Sequence, residues 1–248
     1  MPRRYARTDL GVLTEDEASR FIPQGSGDPQ TDVALAWELL YRLEPELYDR
    51  LASAERLHPG VLRWLPSDLG RIVEVGAGTG RLTLELSSRA QEVIAVEPAE
   101  PLRRVLHRNL ARAEHPDRVR VIHGFFDELP LADDFADLVI ACSALTRDEG
   151  HGGESGLAEM ERVCRPGGSV VIVWPNNVRW LSAHGYRYES FPGEMFVEFD
   201  SAEEAAELIP IFYPQAILRV RRHGSRRVPF ELLGINPPRD LAYKALPR

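Results

Sequence analysis

Ile72-Val-Glu-Val-Gly-Ala-Gly-Thr-Gly80, followed at once by Arg81-Leu-Thr-Leu84, is the stretch on which the fold turns. An apolar run short enough to be a strand enters glycines at 76, 78 and 80, and a helical pattern begins directly after them. Glycine tolerates positive φ and carries no Cβ to hold a ligand away from the backbone. In an open parallel sheet such a loop lies at the carboxyl end of the strand, where ligands bind. A bare strand-to-helix turn does not call for glycines alternating in this way. A dinucleotide fingerprint has the spacing G-x-G-x-x-G; here it is G-x-G-x-G, and the position of the third fingerprint glycine is held by Arg81. Glu97, nineteen residues after Gly78, ends the next apolar run, in place to accept hydrogen bonds from ribose hydroxyls. Nicotinamide and adenosyl cofactors both carry that ribose, so Glu97 does not choose between them.

Working outward, Ile72–Val75, Val93–Val96, Val119–Ile122, Leu138–Cys142 and Val170–Trp174 read as strands, with helices over Arg81–Arg89 and Ala99–Ala113 between them. Strands apolar on both faces, alternating with helices, predict a doubly wound α/β fold with a mostly parallel sheet. Before this region the chain reads as helical. Pro23–Gln30 has loop composition, Asp32 can cap a helix carrying Leu35, Trp37, Leu39, Leu40 and Leu43, and Pro45 can open a second with Leu47, Leu51 and Ala54. His58-Pro59-Gly60 ends that helix, and a short helix or turn follows over Val61–Leu65. The expected division is a helical cap over 1–67 and a binding domain over 68–248. Beyond Trp174 the reading gives a helix at Asn177–Ala183, a strand at Met195–Phe199, and a helix opened by the capping box Ser201-Ala-Glu-Glu204. It continues with a helix ending at Gly224 and a strand over Val228–Leu233.

Composition removes several function classes. With 38 acidic against 30 basic side chains, a net charge of −8 disfavours general nucleic-acid binding, which needs a basic face. The basic side chains are 29 Arg and the single Lys244, a bias with no functional reading attached. No apolar run approaches the roughly 20 residues of a membrane span, and Met1–Arg20 lacks a secretory signal's apolar stretch. Cys142 and Cys164 lie inside apolar segments and read as buried thiols of a cytoplasmic protein, and the seven His lack metal-ligand spacing.

Five segments in register carry a resemblance: Val73-Glu-Val-Gly-Ala-Gly-Thr-Gly80, Val96-Glu-Pro98, Gly124-Phe-Phe-Asp-Glu-Leu-Pro130, Phe135-Ala-Asp-Leu-Val-Ile140 and Arg165-Pro-Gly-Gly168. Over roughly Arg71–Trp174 the chain resembles the class I S-adenosylmethionine-dependent methyltransferases. The resemblance implies a Rossmann-like seven-stranded sheet with a reversed last strand. It implies S-adenosylmethionine as cofactor, with Gly76, Ala77, Gly78 and Gly80 along its methionine portion and Glu74 beneath the loop. Glu97 would take the ribose, Pro98 the adenine, and Cys142 with Ser143 would face the sulfonium. Many relatives have Asp directly after the glycine equivalent to Gly124; this chain has Phe125. Asp127 can serve the adenine amino group instead, or Phe125 and Phe126 can stack on the ring.

Methyl transfer from a sulfonium needs alignment and exclusion of water, and needs a base only when the acceptor must lose a proton. No catalytic residue is therefore assigned. His151, in the glycine-rich run Asp148-Glu-Gly-His-Gly-Gly-Glu154, and His184 are the candidate bases, each weighed against a solvated histidine. Seven aromatics between Trp174 and Phe199, among them Trp180, Tyr186 and Phe191, either line a pocket rimmed by Asn176 and Asn177 or pack the sheet's far edge. Arg219–Arg227 reads as a solvated basic face. The expected activity is methylation of a small-molecule acceptor. The rivals are a non-catalytic cofactor-binding sensor or partner subunit, and a nicotinamide-dependent oxidoreductase. Oligomeric state is not legible.

Overall fold

The computed structural model describes residues 7–21 and 29–248. Four helices come first: α1 (Glu15–Phe21), α2 (Pro29–Leu43), α3 (Pro45–Ala54) and α4 (Pro59–Trp64). The alternating region follows as β1 (Leu69–Val75), α5 (Thr83–Ser87), β2 (Ala90–Val96), α6 (Glu100–Leu110), β3 (Val119–Ile122), β4 (Ala136–Cys142), α7 (Gly153–Val163) and β5 (Cys164–Val173). The remainder is α8 (Val178–Ala183), β6 (Arg187–Ser190), β7 (Phe196–Glu198), α9 (Ala202–Phe212), α10 (Ile217–His223), β8 (Arg227–Pro229), α11 (Phe230–Leu233) and β9 (Asp240–Ala245).

Seven strands form one sheet in the order β3-β2-β1-β4-β5-β9-β6. Neighbours from β3 to β5 are parallel, and β9 runs antiparallel to both β5 and β6. The two-residue period of a strand divides the core between the two sheet faces. Val73, Val75, Ile94, Val139 and Ile172 pack with Leu157, Met160 and Val163 of α7. Ile72, Val93, Ile140 and Val171 pack on the opposite side with Val61 of α4 and Leu82 and Leu86 around α5. Residues are thus apolar in continuous runs because both faces are covered, which is the doubly wound arrangement expected.

A third cluster joins distant parts of the chain. Leu40, Leu51 and Ala54 from α2 and α3 pack with Leu208, Phe212, Tyr213, Val228, Phe230 and Leu233. Helix α3 is further tied by charge. Arg50 reaches Glu204 at 2.7 Å and Glu207 at 2.8 Å on α9, while Glu46 and Asp49 meet Arg108 of α6.

Several boundaries differ from the sequence reading. The reversed strand is β9, not Val228–Leu233. That apolar run belongs to the third cluster, with Arg227–Pro229 pairing β7 in a separate two-stranded sheet and Phe230–Leu233 closing a helical turn at Gly234, φ 75°. Strand β9 was overlooked because only its first half is buried, Leu241 and Ala242 fully and Lys244 not. Strand β6 was also missed; all four of its residues are exposed, as suits the polar edge of a sheet. Helix α2 spans Pro29–Leu43, so Asp32 lies within the helix and not ahead of it, and Pro29 and Gln30 are helical. The rest of the expected Pro23–Gln30 loop falls outside the described residues. Helix α5 is shorter than Arg81–Arg89. The capping box holds: Ser201 Oγ accepts the Glu204 N–H at 3.1 Å. Among the described residues no helix is long and apolar enough to cross a membrane.

Candidate functional site

The glycine loop leaves β1 at Val75 and doubles back on β2, where the Val96 carbonyl accepts the N–H groups of Gly76 and Ala77 at 2.9 and 3.0 Å. Gly76 and Gly78 sit at φ +73° and +57°. Both face a cavity of about 950 Å³ at the carboxyl ends of the strands. Gly80 has a different reason to be glycine. A Cβ there would lie 2.6 Å from Leu106 of α6, so it permits helix packing and does not line the cavity.

Two carboxylates brace the loop from below. Glu74 on β1 is buried, and its Oε2 accepts the Thr83 hydroxyl at 2.6 Å. Glu97 closes β2; its Oε2 accepts the Gly78 N–H at 2.9 Å and its Oε1 the Ala99 N–H at 2.8 Å. Burial pushes Glu74 up to about 8, offset in part by the Thr83 bond and reinforced by Glu97. Burial likewise pushes Glu97 up to about 7 against the pull of its two backbone donors.

The cavity has three further sides. Phe125, Phe126 and Asp127 form one, after β3. The N-terminal helices form a second, with Arg20, Phe21, Trp37, Glu38, Tyr41, Tyr48 and Glu55. Cys142, Ser143, Trp174, Asn176, Tyr213 and Asn236 form the third. Ser143 and Trp174, at the ends of β4 and β5, have φ of +55° and +52°, an arrangement that costs an ordinary residue about 1–2 kcal/mol. The chain holds Trp174 there: its N–H donates to the Asp240 carbonyl at 2.9 Å and its indole N–H to the Asn236 carbonyl at 2.8 Å. Such strain is found where a site over-determines the backbone.

Of the residues singled out in the sequence, Gly76, Gly78, Glu97, Pro98, Phe125, Phe126, Asp127 and Cys142 come together on this cavity. Glu74 and Ala77 border a water-sized void of about 10 Å³ behind it. Asp127 is already engaged by the Arg20 guanidinium, which also lies 4.3 Å from the Phe125 ring centroid. Burial pushes the Cys142 thiol up to about 11, which keeps it neutral.

The aromatic run after β5 does not form the pocket. Trp180 and Tyr186 are buried in the core beside α7, with the Trp180 indole N–H donating to Glu154 at 2.7 Å. Phe191 stacks on His58, and Asn177 caps α8 by accepting the Trp180 N–H at 3.0 Å. Of that stretch, Trp174, Pro175 and Asn176 reach the cavity. His184 pairs with Glu154 at 2.7 Å, away from the cavity. His151 does line it, with Nε2 3.1 Å from Glu38 Oε1. No group of three His, Cys, Asp or Glu among the described residues is arranged to hold a metal ion.

Arg81 was missed as a site residue, having been weighed only as a non-glycine. Its guanidinium lies 3.1 Å from Glu55 Oε2 and 5.4 Å from the Trp174 ring centroid, on the cavity wall. The Tyr213 hydroxyl donates to the other oxygen of Glu55. The only signal in the sequence was a long cation directly after the last loop glycine.

Burial also pushes Glu55 up to about 7 despite Arg81. Glu55, Glu74 and Glu97 therefore hold protons more tightly in the folded chain than at their ordinary 4.5. Between about pH 5 and 8 the folded state binds more protons than the unfolded one, so its stability falls as pH rises. His151, raised by Glu38 against its burial, acts in the same direction; the less buried His58 and His123, lowered by burial, oppose it. The unfolding temperature is expected to be lower at pH 8 than at pH 5.5, and a scan across this range in one buffer system checks it. A rise would show that these carboxylates are ionised throughout.

Residues 72–168 match a family model described as "Methyltransferase domain". The chain is 36% identical over 117 residues to an uncharacterized methyltransferase of Mycobacterium tuberculosis, covering 47% of this chain and 44% of that protein. It is 34% identical over 102 residues to a demethylmenaquinone methyltransferase of Clavibacter sepedonicus, covering 41% and 40%. The chain thus spans less than half the length of the first curated relatives it matches. Among solved structures, the complex between the Haloferax volcanii Trm112 methyltransferase activator and a methyltransferase matches with a TM-score of 0.50 at 14% identity, over 84% of this chain and 96% of that one. At that identity the match speaks for the fold alone.

Proposed function

We propose that the chain, whose residues 72–168 match the methyltransferase-domain model, is a class I S-adenosylmethionine-dependent methyltransferase that binds its cofactor in the cavity and methylates a small, largely apolar acceptor. The observation that carries this reading is the cavity itself. Glycine backbone and a braced carboxylate stand on one side, and rings from the N-terminal helices and β5 stand on the others. Its volume of about 950 Å³ is near the top of the usual 300–1,000 Å³ range for ligand sites, which suits a cofactor with a second small molecule.

The residues present fit the cofactor. Each Glu97 oxygen accepts one backbone N–H, which fixes the carboxylate and leaves a lone pair on each for a ribose hydroxyl. Pro98, Leu102 and Phe125 offer apolar surface for the adenine; Asp127, taken up by Arg20, is the weaker candidate for the adenine amino group. Gly76 and Gly78 let the methionine portion approach the backbone, with Ala77 and Gly80 shaping the loop behind and Glu74 holding it through Thr83. The neutral Cys142 thiol and Ser143, both on the cavity wall, would face the sulfonium. The cofactor supplies an already activated methyl group, and the chain's own task is to align an acceptor and exclude water. Helices before residue 68 cap the site in this reading. Two free, buried thiols suit a cytoplasmic protein.

Thermal unfolding with S-adenosylmethionine, S-adenosylhomocysteine and NAD tests the reading. A ligand at 100 times its dissociation constant stabilises by about 2.7 kcal/mol, or roughly 5–10 °C for a chain of this size. Shifts with both adenosyl ligands and none with NAD are expected. A shift with NAD alone would overturn the assignment in favour of hydride chemistry.

A further inference from the structure

The loop between β4 and α7 carries His151 into the cavity, and three elements converge to hold it there. Its Nε2 lies 3.1 Å from Oε1 of Glu38 on α2, a glutamate only 5% exposed. The other Glu38 oxygen is paired with Arg42 at 2.7 Å, and Arg42 with Glu17 of α1 at 2.7 Å. Phe21, also on α1, places its ring 5.9 Å from the imidazole.

This chain of bonds sets the tautomer. A carboxylate paired with a guanidinium only accepts, so the proton shared with Glu38 belongs to Nε2–H, and Nδ1 carries the lone pair. Nδ1 has no hydrogen bond among the described residues, and the imidazole lines the cavity with 21% of its side chain exposed. A solvated loop histidine has no reason to be held by a buried carboxylate that is itself clamped from behind. We propose that His151 is the general base of this site, oriented by Glu38 as a positioning residue, and that the acceptor is a phenolic hydroxyl.

The inference rests on the cofactor reading above and deepens it. An amine in its free form attacks with a lone pair it already has and needs no base. A hydroxyl is a poor nucleophile until its proton leaves. The proton passes from the acceptor oxygen to Nδ1, the oxygen forms the new C–O bond, and the C–S bond breaks with its electrons left on a now neutral sulfur. Trp37, Tyr41 and Trp174 give a flat aromatic ring surfaces to lie against. Among the described residues, the charged groups that act on the imidazole are Glu38 from α2 and Asp148 in its own loop; Arg42 and Glu17 stand behind Glu38, and Arg20 and Glu149 share the cavity wall. Burial pulls the imidazole down, and the Glu38 bond and the Asp148 charge more than reverse it, so the ring accepts a proton readily near neutral pH.

Para-nitrophenol tests this without knowledge of the natural acceptor, because its anion is coloured and its acid is not. The full chain is saturated with S-adenosylhomocysteine at a pH where the free phenol is mostly protonated. Binding is followed by equilibrium dialysis and ionisation by absorbance. The expected result is a bound phenol about tenfold more ionised than the free one, a shift of about one pKa unit. His151→Gln keeps a donor toward Glu38 but cannot take the proton, and should return ionisation to the free level with S-adenosylhomocysteine affinity unchanged. Glu38→Gln should move the colour change to higher pH, a readout that a purely structural role would leave in place. Failure of para-nitrophenol to bind, a bound phenol no more ionised than the free one, or equal ionisation in wild type and His151→Gln would each overturn the proposal. If S-adenosylhomocysteine itself fails to bind, the cofactor reading falls first and this inference with it.

Discussion

Gly78→Ala is expected to weaken S-adenosylhomocysteine binding by up to about a hundredfold while leaving the fold nearly intact. The two halves of that expectation have separate causes. Gly78 stands at φ +57°, where an L-residue with a Cβ loses about 1–2 kcal/mol, and the added Cβ would meet Tyr48 at 3.4 Å, an ordinary contact. The protein should therefore unfold only a few degrees lower, at about 2–4 °C per kcal/mol. Binding suffers more. The methyl group enters the space where the cofactor must approach the loop, and one extra methyl in a close-packed contact costs about 1–3 kcal/mol, against 1.4 kcal/mol per tenfold in affinity. The alanine N–H can still donate to Glu97, so the carboxylate bracing is not what changes. Calorimetric titration with S-adenosylhomocysteine decides the matter; unaltered affinity would take Gly78 out of the cofactor site.

Arg81→Leu should be the most damaging single change to stability. Arg81 and Glu55 have side chains only 13% and 4% exposed, and their charges meet at 3.1 Å. Without Arg81 the buried Glu55 must either carry an uncompensated charge, at about 3–5 kcal/mol, or take up a proton, so the loss is largest at about pH 8 and smaller at about pH 6. For a chain of this length that corresponds to an unfolding temperature lower by about 10 °C. Adding Glu55→Gln to Arg81→Leu should recover part of the loss, because glutamine can still accept the Tyr213 hydroxyl and carries no charge to bury. Thermal unfolding of the two single variants and the double variant measures this coupling. If Arg81→Leu unfolds within about 1 kcal/mol of the wild type, the pair is not what holds α3 to the glycine loop.

The central strands were legible because both their faces are buried. Ile72, Val73, Val93, Ile94, Val139 and Ile140 are fully buried, and Glu74 is the one charged residue that interrupts their apolar runs. The glycine loop and Glu97 were legible because few residue types can do what those positions require. The cavity's remaining sides were not. Trp37 reads as one of the apolar positions of a core helix and Tyr41 and Tyr48 carry no signal of their own, because nothing local distinguishes a ring facing a cavity from a ring facing a neighbour. Trp180 and Tyr186 show the converse: an aromatic-rich stretch near the acceptor end turned inward because the sheet beneath had a face to cover. The partnership of His151 with Glu38 spans 113 residues, a separation that no spacing rule reaches.

The position of β9 has a consequence for the order in which the molecule can be assembled. It follows every other element in the chain, yet in the sheet it stands between β5 and β6. Until it arrives, β6 has no neighbour in the sheet, and β5 presents an open edge in place of Val171 paired with Tyr243 and Val173 with Leu241. The Asp240 carbonyl that holds the backbone of Trp174 arrives with it. During synthesis, then, the glycine loop and its first strands can form early, while the Trp174 side waits for β9 to pair with β5 and bring β6 into the sheet. In the proposed reading, the glycine-loop side of the cavity is therefore complete in the sheet before the Trp174 side is.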